Sequence, residues 1–199
     1  VALVSLDIIP GIEYAYKREV FDECKPWFRR MTLGTPLVYW QGQEEKRDDV
    51  AEVMAAVARE LPARAEDEAV LLMAHGTPHP ANAYYAVMQE RLENLGEERV
   101  CIYTVEGRPN LDDVVPKLKE AGIRKATLAP LMLVAGDHAT NDMAGDEPDS
   151  HKSLLEREGF RVQTILKGIG ENAAVRKIFA ARAAEAYEAL LDAAESKRF

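Results

Sequence analysis

Short, uninterrupted apolar runs alternate along this chain with stretches of helical periodicity, and that alternation confines it to a layered α/β architecture. The strand-like runs are residues 1–6, 36–40, 69–74, 99–105, 125–133 and 160–166. They are rich in Val, Ile and Leu and mostly continuous, as strands buried on both faces are. Val1-Ala-Leu-Val-Ser-Leu6 reads as one such buried strand. Helical patterns occupy 45–61, 80–95, 111–121, 147–158 and 172–196. In the first of them Val50, Val53, Met54, Val57 and Leu61 form one stripe, and Pro62 stops it. Asn110 followed by Asp112 and Asp113 marks a helix start, and Gly122 its end. The expected fold class is α/β, with parallel sheets flanked by helices.

An internal repeat refines this expectation. Shifted by 125 residues, Leu3-Val-Ser-Leu-Asp-Ile-Ile-Pro-Gly11-Ile-Glu13 falls on Leu128-Ala-Pro-Leu-Met-Leu-Val-Ala-Gly136-Asp-His138, matching the apolar positions and the loop glycine. Leu37-Val-Tyr-Trp-Gln-Gly42 then resembles Val162-Gln-Thr-Ile-Leu-Lys-Gly168 with a one-residue slip. Two matches in the same order point to duplication. Residues 66–199 would form a complete second lobe with a long C-terminal helix, 44–65 a connecting helix, and 1–43 the back half of a first, N-terminally truncated lobe. The absent front half would be on the order of 60 residues, one strand-helix-strand-helix block. Two similar lobes would face each other across a cleft.

The 199 residues suffice for one or two domains with a real core. A net charge of −9, from 25 basic and 34 acidic residues spread along the chain, argues against nucleic acid or an anionic membrane as partner. No apolar run approaches the ~20 residues of a membrane span. Cys24 and Cys101 stand apart without CxxC spacing, as ordinary thiols do. The sequence opens directly on a strand, so any targeting segment would lie outside it.

Chemistry is expected where strands empty into loops, because open α/β sheets bind ligands beyond the carboxyl ends of their strands. Four histidines occur in all. Val70-Leu-Leu-Met-Ala-His75-Gly-Thr-Pro and Leu131-Met-Leu-Val-Ala-Gly136-Asp-His138 each end an apolar run with an imidazole in a glycine-containing loop. Glu106 ends the intervening run Val100-Cys-Ile-Tyr-Thr-Val105. A His/Glu/His set with open positions suits a divalent first-row metal. The competing readings are a loop-stabilising histidine at 75, an incidental loop histidine at 138 and a solvated acid at 106. Asp137 or Asp142 could orient the His138 ring. His79 could line an entrance, and His151, in a charged helix, should be solvated. Met132, Leu133, Val134 and Met143 bracket His138 and could form an apolar wall for a flat ligand, although core packing accounts for Met132 equally well. Tyr14, Tyr84 and Tyr85 could serve the same purpose. No GxGxxG, P-loop, GxSxG or HExxH pattern is present, which weakens nucleotide, serine-hydrolase and zincin readings.

His75-Gly-Thr with Asn82, Thr104-Val-Glu-Gly107, Gly136-Asp-His-Ala-Thr-Asn-Asp-Met-Ala-Gly145 with Glu147-Pro-Asp149, and Ile8-Ile-Pro-Gly-Ile-Glu-Tyr14 together resemble the class II chelatase family, and within it the anaerobic sirohydrochlorin cobaltochelatases. The resemblance runs through essentially the whole chain in order. It implies a fold of two similar lobes around a tetrapyrrole cleft and ATP-independent insertion of Co2+ into sirohydrochlorin, with no organic cofactor. It places the metal ligands on His75, Glu106 and His138, makes His75 also the base that takes pyrrole protons, and sets Pro10, Gly11, Tyr14, Met132, Leu133, Val134 and Met143 against the macrocycle. The family's opening strand, helix and second strand are absent here, and Asp7 stands where relatives carry His or another polar residue. Insertion of Fe2+ to make sirohaem or haem, or non-catalytic carriage of metal or tetrapyrrole, are the alternatives. The expected compartment is the cytoplasm, or the periplasm if an export signal precedes Val1, and the same residues are compatible with a homo-oligomer.

Overall fold

The computed structural model describes residues 1–195; the last residues assigned above to the C-terminal helix and second lobe, 196–199, lie outside the described residues. Six strands and six α-helices alternate: β1 (Ala2–Leu3), α1 (Ile12–Cys24), β2 (Thr32–Leu33), α2 (Asp49–Ala58), β3 (Glu68–Ala74), α3 (Tyr84–Asn94), β4 (Val100–Thr104), α4 (Leu111–Glu120), β5 (Lys125–Pro130), α5 (His151–Arg157), β6 (Arg161–Thr164) and α6 (Ala173–Glu195). A four-stranded parallel sheet runs β4-β3-β5-β6, and β1 and β2 form a separate parallel pair. β3 is central and fully buried beyond its first residue, so its sequence carries no polar alternation.

The central sheet separates two apolar clusters. Val70, Leu72 and Ala74 point into one with helices α2, α3 and α6, which also takes in Ile9, Leu37 and Val38. Leu71 and Met73 point into the other, beneath α4 and α5. The successive residues of β3 thus serve opposite layers, as the period-2 geometry of a strand requires. Asp48 caps α2 by accepting from Ala51 N–H, and Asn110 with Asp113 forms a capping box on α4.

The duplication is visible in the hydrogen-bond ladders. Leu3, Asp7 and Ile8 carbonyls accept from the N–H groups of Gly34, Leu37 and Val38; their counterparts 125 residues on, Leu128, Met132 and Leu133, accept from Ile165, Ile169 and Gly170. The first strand therefore repeats at the expected offset. The second strand does not: its equivalent residues lie 131 or 132 apart, so the sequence match of 37–42 with 162–168 is out of register by about one strand's length.

Other expectations need correction. Residues 1–6 are not a buried strand, since Val1, Leu3, Val4 and Leu6 are exposed and only Ala2–Leu3 pairs. Residues 36–40 lie outside any strand; Leu37 and Val38 are buried because they continue the β2 side as an irregular segment beside Asp7 and Ile8. Helix α1 is an addition to the expected set. The C-terminal helix also reaches the first strand pair. It packs along β1 and β2, where Thr32 Oγ1 donates to the Ala186 carbonyl at 2.6 Å, and where the buried Arg182 pairs with the buried Asp49 at 2.8 Å. Asp49 also accepts from the Tyr39 and Trp40 N–H groups, so one carboxylate ties α2, α6 and the loop after β2 together. Breaking such a pair costs about 3–5 kcal/mol, because the remaining charge stays buried. No helix among the described residues is long and apolar enough to cross a membrane.

Candidate metal centre

The carboxyl ends of β3 and β4, together with the segment that follows β5, meet at one point. His75 leaves β3 and Glu106 follows β4, held beside each other as the ladder continues past the strands: Glu106 N–H donates to the His75 carbonyl at 2.8 Å. Gly76 makes this approach feasible. Its φ is +88°, and a Cβ there would stand 2.8 Å from the Glu106 carbonyl carbon and the Gly107 nitrogen. His138 begins a six-residue π-helical turn, His138–Met143, at the start of what the sequence suggests is a plain loop. Single π turns recur at functional sites.

Potential ligand atoms of His75, Glu106 and His138 all lie within 4.8 Å of one another, and the two imidazole centroids are 5.0 Å apart. Bonds of about 2.1 Å to a first-row ion allow ligand atoms at most ~4.2 Å apart, so small side-chain rotations close the set. Both histidines are half-buried and Glu106 is exposed, a geometry that leaves an open side. Each ring is also oriented. His75 Nδ1 donates to the Gly76 carbonyl at 3.0 Å, and His138 Nδ1 to Asp142 Oδ2 at 2.5 Å. With Nδ1 hydrogen-bonded to these acceptors, the tautomer of each neutral ring that fits carries its lone pair on Nε2, the atom left to serve as metal ligand or base. Of the two orienting candidates at 137 and 142, the structure selects Asp142; Asp137 instead accepts from the Asn141 amide.

A cavity of about 240 Å³ adjoins His75, walled by Leu6, Asp7, Ile8 and Glu13 on one side and by Leu131, Met132 and Leu133 on the other. Met132 and Leu133 thus face it, and Val134 is exposed just beyond. Met143 does not. It is fully buried in the cluster under α4 and α5, because the π turn folds its side chain inward, so it presents no wall to a ligand. Tyr14 is likewise buried, its hydroxyl donating to the Gly34 carbonyl at 3.4 Å, and it lines a different groove beside Arg182. Gly11 is buried against Thr77, and Pro10 is half-buried on the same turn without reaching the cavity wall.

Two cavity residues escaped the sequence reading as site members. Glu13, on the first turn of α1, was visible only as the repeat partner of His138. Asp7 is held by Lys17 at 2.5 Å and by the Ser5 hydroxyl at 2.7 Å. Tyr85, proposed as a wall, does line the cavity; its hydroxyl accepts from Gly76 N–H at 3.4 Å, and burial pushes its pKa up to about 12, so it stays protonated. Tyr84 instead donates to the Tyr39 carbonyl at 2.6 Å. His79 caps the short 3-10 turn Pro80–Ala83 by accepting from Ala81 N–H. His151 is not solvated: it accepts the Tyr103 hydroxyl at 3.0 Å, and burial lowers its pKa.

A parallel α/β fold with this strand-end cluster has the architecture of the chelatases. Bacillus subtilis SirB, solved with Fe3+, superposes with a TM-score of 0.62 over 91% of this chain and 69% of that one, at 16% identity, which speaks for the fold. A family model described as cobalt chelatase (CbiK) matches residues 1–188. The sirohydrochlorin cobaltochelatase of Salmonella typhimurium is 36% identical over 181 residues, covering 91% of this chain and 66% of that protein. The sirohydrochlorin cobaltochelatase CbiKC of Nitratidesulfovibrio vulgaris is 38% identical over 174 residues, covering 86% of this chain and 59% of that protein. The chain belongs to the cobalt chelatase (CbiK) family. It spans about two thirds or less of the length of these curated relatives.

Proposed function

We propose that this chain acts as a sirohydrochlorin cobaltochelatase, inserting Co2+ into the macrocycle without ATP. The observation that carries this reading is the convergence of His75, Glu106 and His138, with His75 also lining the adjoining cavity. Two imidazoles and one exposed carboxylate suit a hydrated divalent ion while leaving sites for water and for an incoming nitrogen.

Insertion exchanges two pyrrole protons for one Co2+. As the ion passes from the protein to the ring nitrogens, the imidazole it leaves becomes a free base. The Nε2 lone pair of His75, aimed outward by the Nδ1–H bond to Gly76, is then placed to take a proton. General-base assistance of this kind contributes on the order of 10²–10⁴-fold. Ile8, Met132 and Leu133 offer an apolar surface for the face of the macrocycle, and Tyr85 a hydroxyl that stays protonated at neutral pH.

The test is steady-state conversion of sirohydrochlorin with Co2+, followed by the absorbance change on metallation, for wild type, His75→Ala and His138→Ala. Multiple turnovers by wild type and loss of most activity in both folded variants are expected. Normal turnover by either variant would remove the assignment. The same ligand set accepts Fe2+, so competing the two ions in this assay decides which metal is used; a single stoichiometric event with no turnover would indicate a carrier.

A further inference from the structure

We infer that Asn82 is a positioning residue that clamps the loops carrying His75 and Glu106 at ligating distance. The inference rests on the reading of the His75, Glu106 and His138 cluster as a metal centre. Asn82 lies seven residues past His75, on the 3-10 turn Pro80–Ala83 that leads into α3. Its side-chain amide faces two loops at once. The oxygen accepts from Thr77 N–H at 3.2 Å, and the nitrogen donates to the Arg108 carbonyl at 2.7 Å. Each contact lies two residues beyond a proposed ligand, Thr77 after His75 and Arg108 after Glu106.

The backbone around this bridge is shaped to fit it. A Cβ on Gly107 would come within 2.5 Å of Asn82 Oδ1, so the carboxamide lies directly over the Gly107 Cα. Asn82 is itself anchored, its N–H donating to the His79 carbonyl at 2.9 Å. The ladder bond from Glu106 N–H to His75 fixes only the near end of the two loops. Beyond it, the Glu106 loop is closed on itself by Thr104, whose N–H and hydroxyl donate to the Pro109 carbonyl at 2.7 and 3.0 Å, and the Asn82 amide joins that closed loop to the Thr77 segment. An amide is needed because the bridge asks for one acceptor and one donor on the same planar group.

The experiment is a Co2+ titration of the wild-type chain and of Asn82→Ala, read by the visible d–d absorption of the bound ion, with thermal melting of the same samples. Loss of a group that orients metal ligands lowers affinity about 10- to 100-fold. Asn82→Ala is expected to weaken Co2+ binding by that factor and to change the band shape, while melting moves little. Asn82→Asp keeps the acceptor for Thr77 and loses the donor to Arg108. It is expected to fall between the two, and it stands in if the alanine variant fails to fold. Wild-type affinity and an unchanged spectrum in the folded variant would overturn the inference. Failure of the wild type to metallate sirohydrochlorin while still binding Co2+ would remove the proposed function and leave the clamp intact.

Discussion

The two repeated halves share a backbone plan and differ in what they bury and what they hold. Leu3 and Leu128 occupy the same place in equivalent ladders, yet Leu128 is fully buried while Leu3 is 36% exposed. The reason is β3, which covers the far edge of β5; Leu131 N–H donates to Met73 there, whereas its counterpart Leu6 has no such partner among the described residues. The charged positions diverge as well. His138 and Asp142 form an i, i+4 pair in the second half, and the positions 125 residues earlier are Glu13 and Lys17, with Lys17 turned instead to Asp7. A single backbone frame thus presents an imidazole oriented by Asp142 in one copy and, in the other, a carboxylate that lines the cavity. The strand repeat sets where a functional side chain can stand, and local polar partners set what it can do.

That comparison can be broken most sharply at Glu13 and His138. His138→Ala is expected to weaken Co2+ binding by more than the ~100-fold that loss of an outer partner costs, while Glu13→Gln leaves it within a few-fold of wild type. Equal losses in calorimetric titrations would mean that the site is symmetric after all. One step out, Asp142→Ala is expected to lower Co2+ affinity about 10- to 100-fold by freeing the His138 ring, with Lys17→Ala neutral in the same titration. The structural asymmetry is tested by denaturant melts of Leu128→Ala and Leu3→Ala. The first should cost about 2–5 kcal/mol and the second under about 1 kcal/mol, since only the first leaves a cavity.

The smallest effect concerns pH and His151, under the second half. Burial lowers its pKa, and the neutral ring accepts the Tyr103 hydroxyl. The unfolded chain therefore binds the proton more readily than the folded one. The stabilisation is complete above the ordinary imidazole pKa of about 6.5 and is lost as pH falls from there through the lowered folded value. Stability measured from pH 8 to 5 should decline less steeply in His151→Gln than in wild type.

Much of the central layer was legible because β3, β4 and β5 are continuous apolar runs buried on both faces, and their ends carry His75, Glu106 and the approach to His138. The capped start of α4 at Asn110 was equally readable, whereas α2, expected from residue 45, starts only at Asp49 behind its Asp48 cap. Legibility failed where burial and secondary structure part company. Leu37 and Val38 look like strand residues because they are buried, but they lie in irregular backbone. Helix α1 hides because Tyr16 and Val20 are exposed while Tyr14 and Phe21 are buried, so no clean stripe appears. The π turn hides for another reason: Thr140, Asn141 and Asp142 are poor helix formers, and Met143 is drawn into the core only once that turn forms. Asn82 could be noted as a motif residue, but its bridging role depends on bringing residue 108 alongside residue 77, which no local pattern encodes.

The account stands most directly on where cobalt binds. Crystals of the protein soaked in Co2+ and measured at the cobalt absorption edge would locate the ion by its anomalous signal. The predicted result is one dominant peak within about 2.3 Å of Nε2 of His75, Nε2 of His138 and a carboxylate oxygen of Glu106. A dominant peak held by other residues, with these three side chains unliganded, would contradict it.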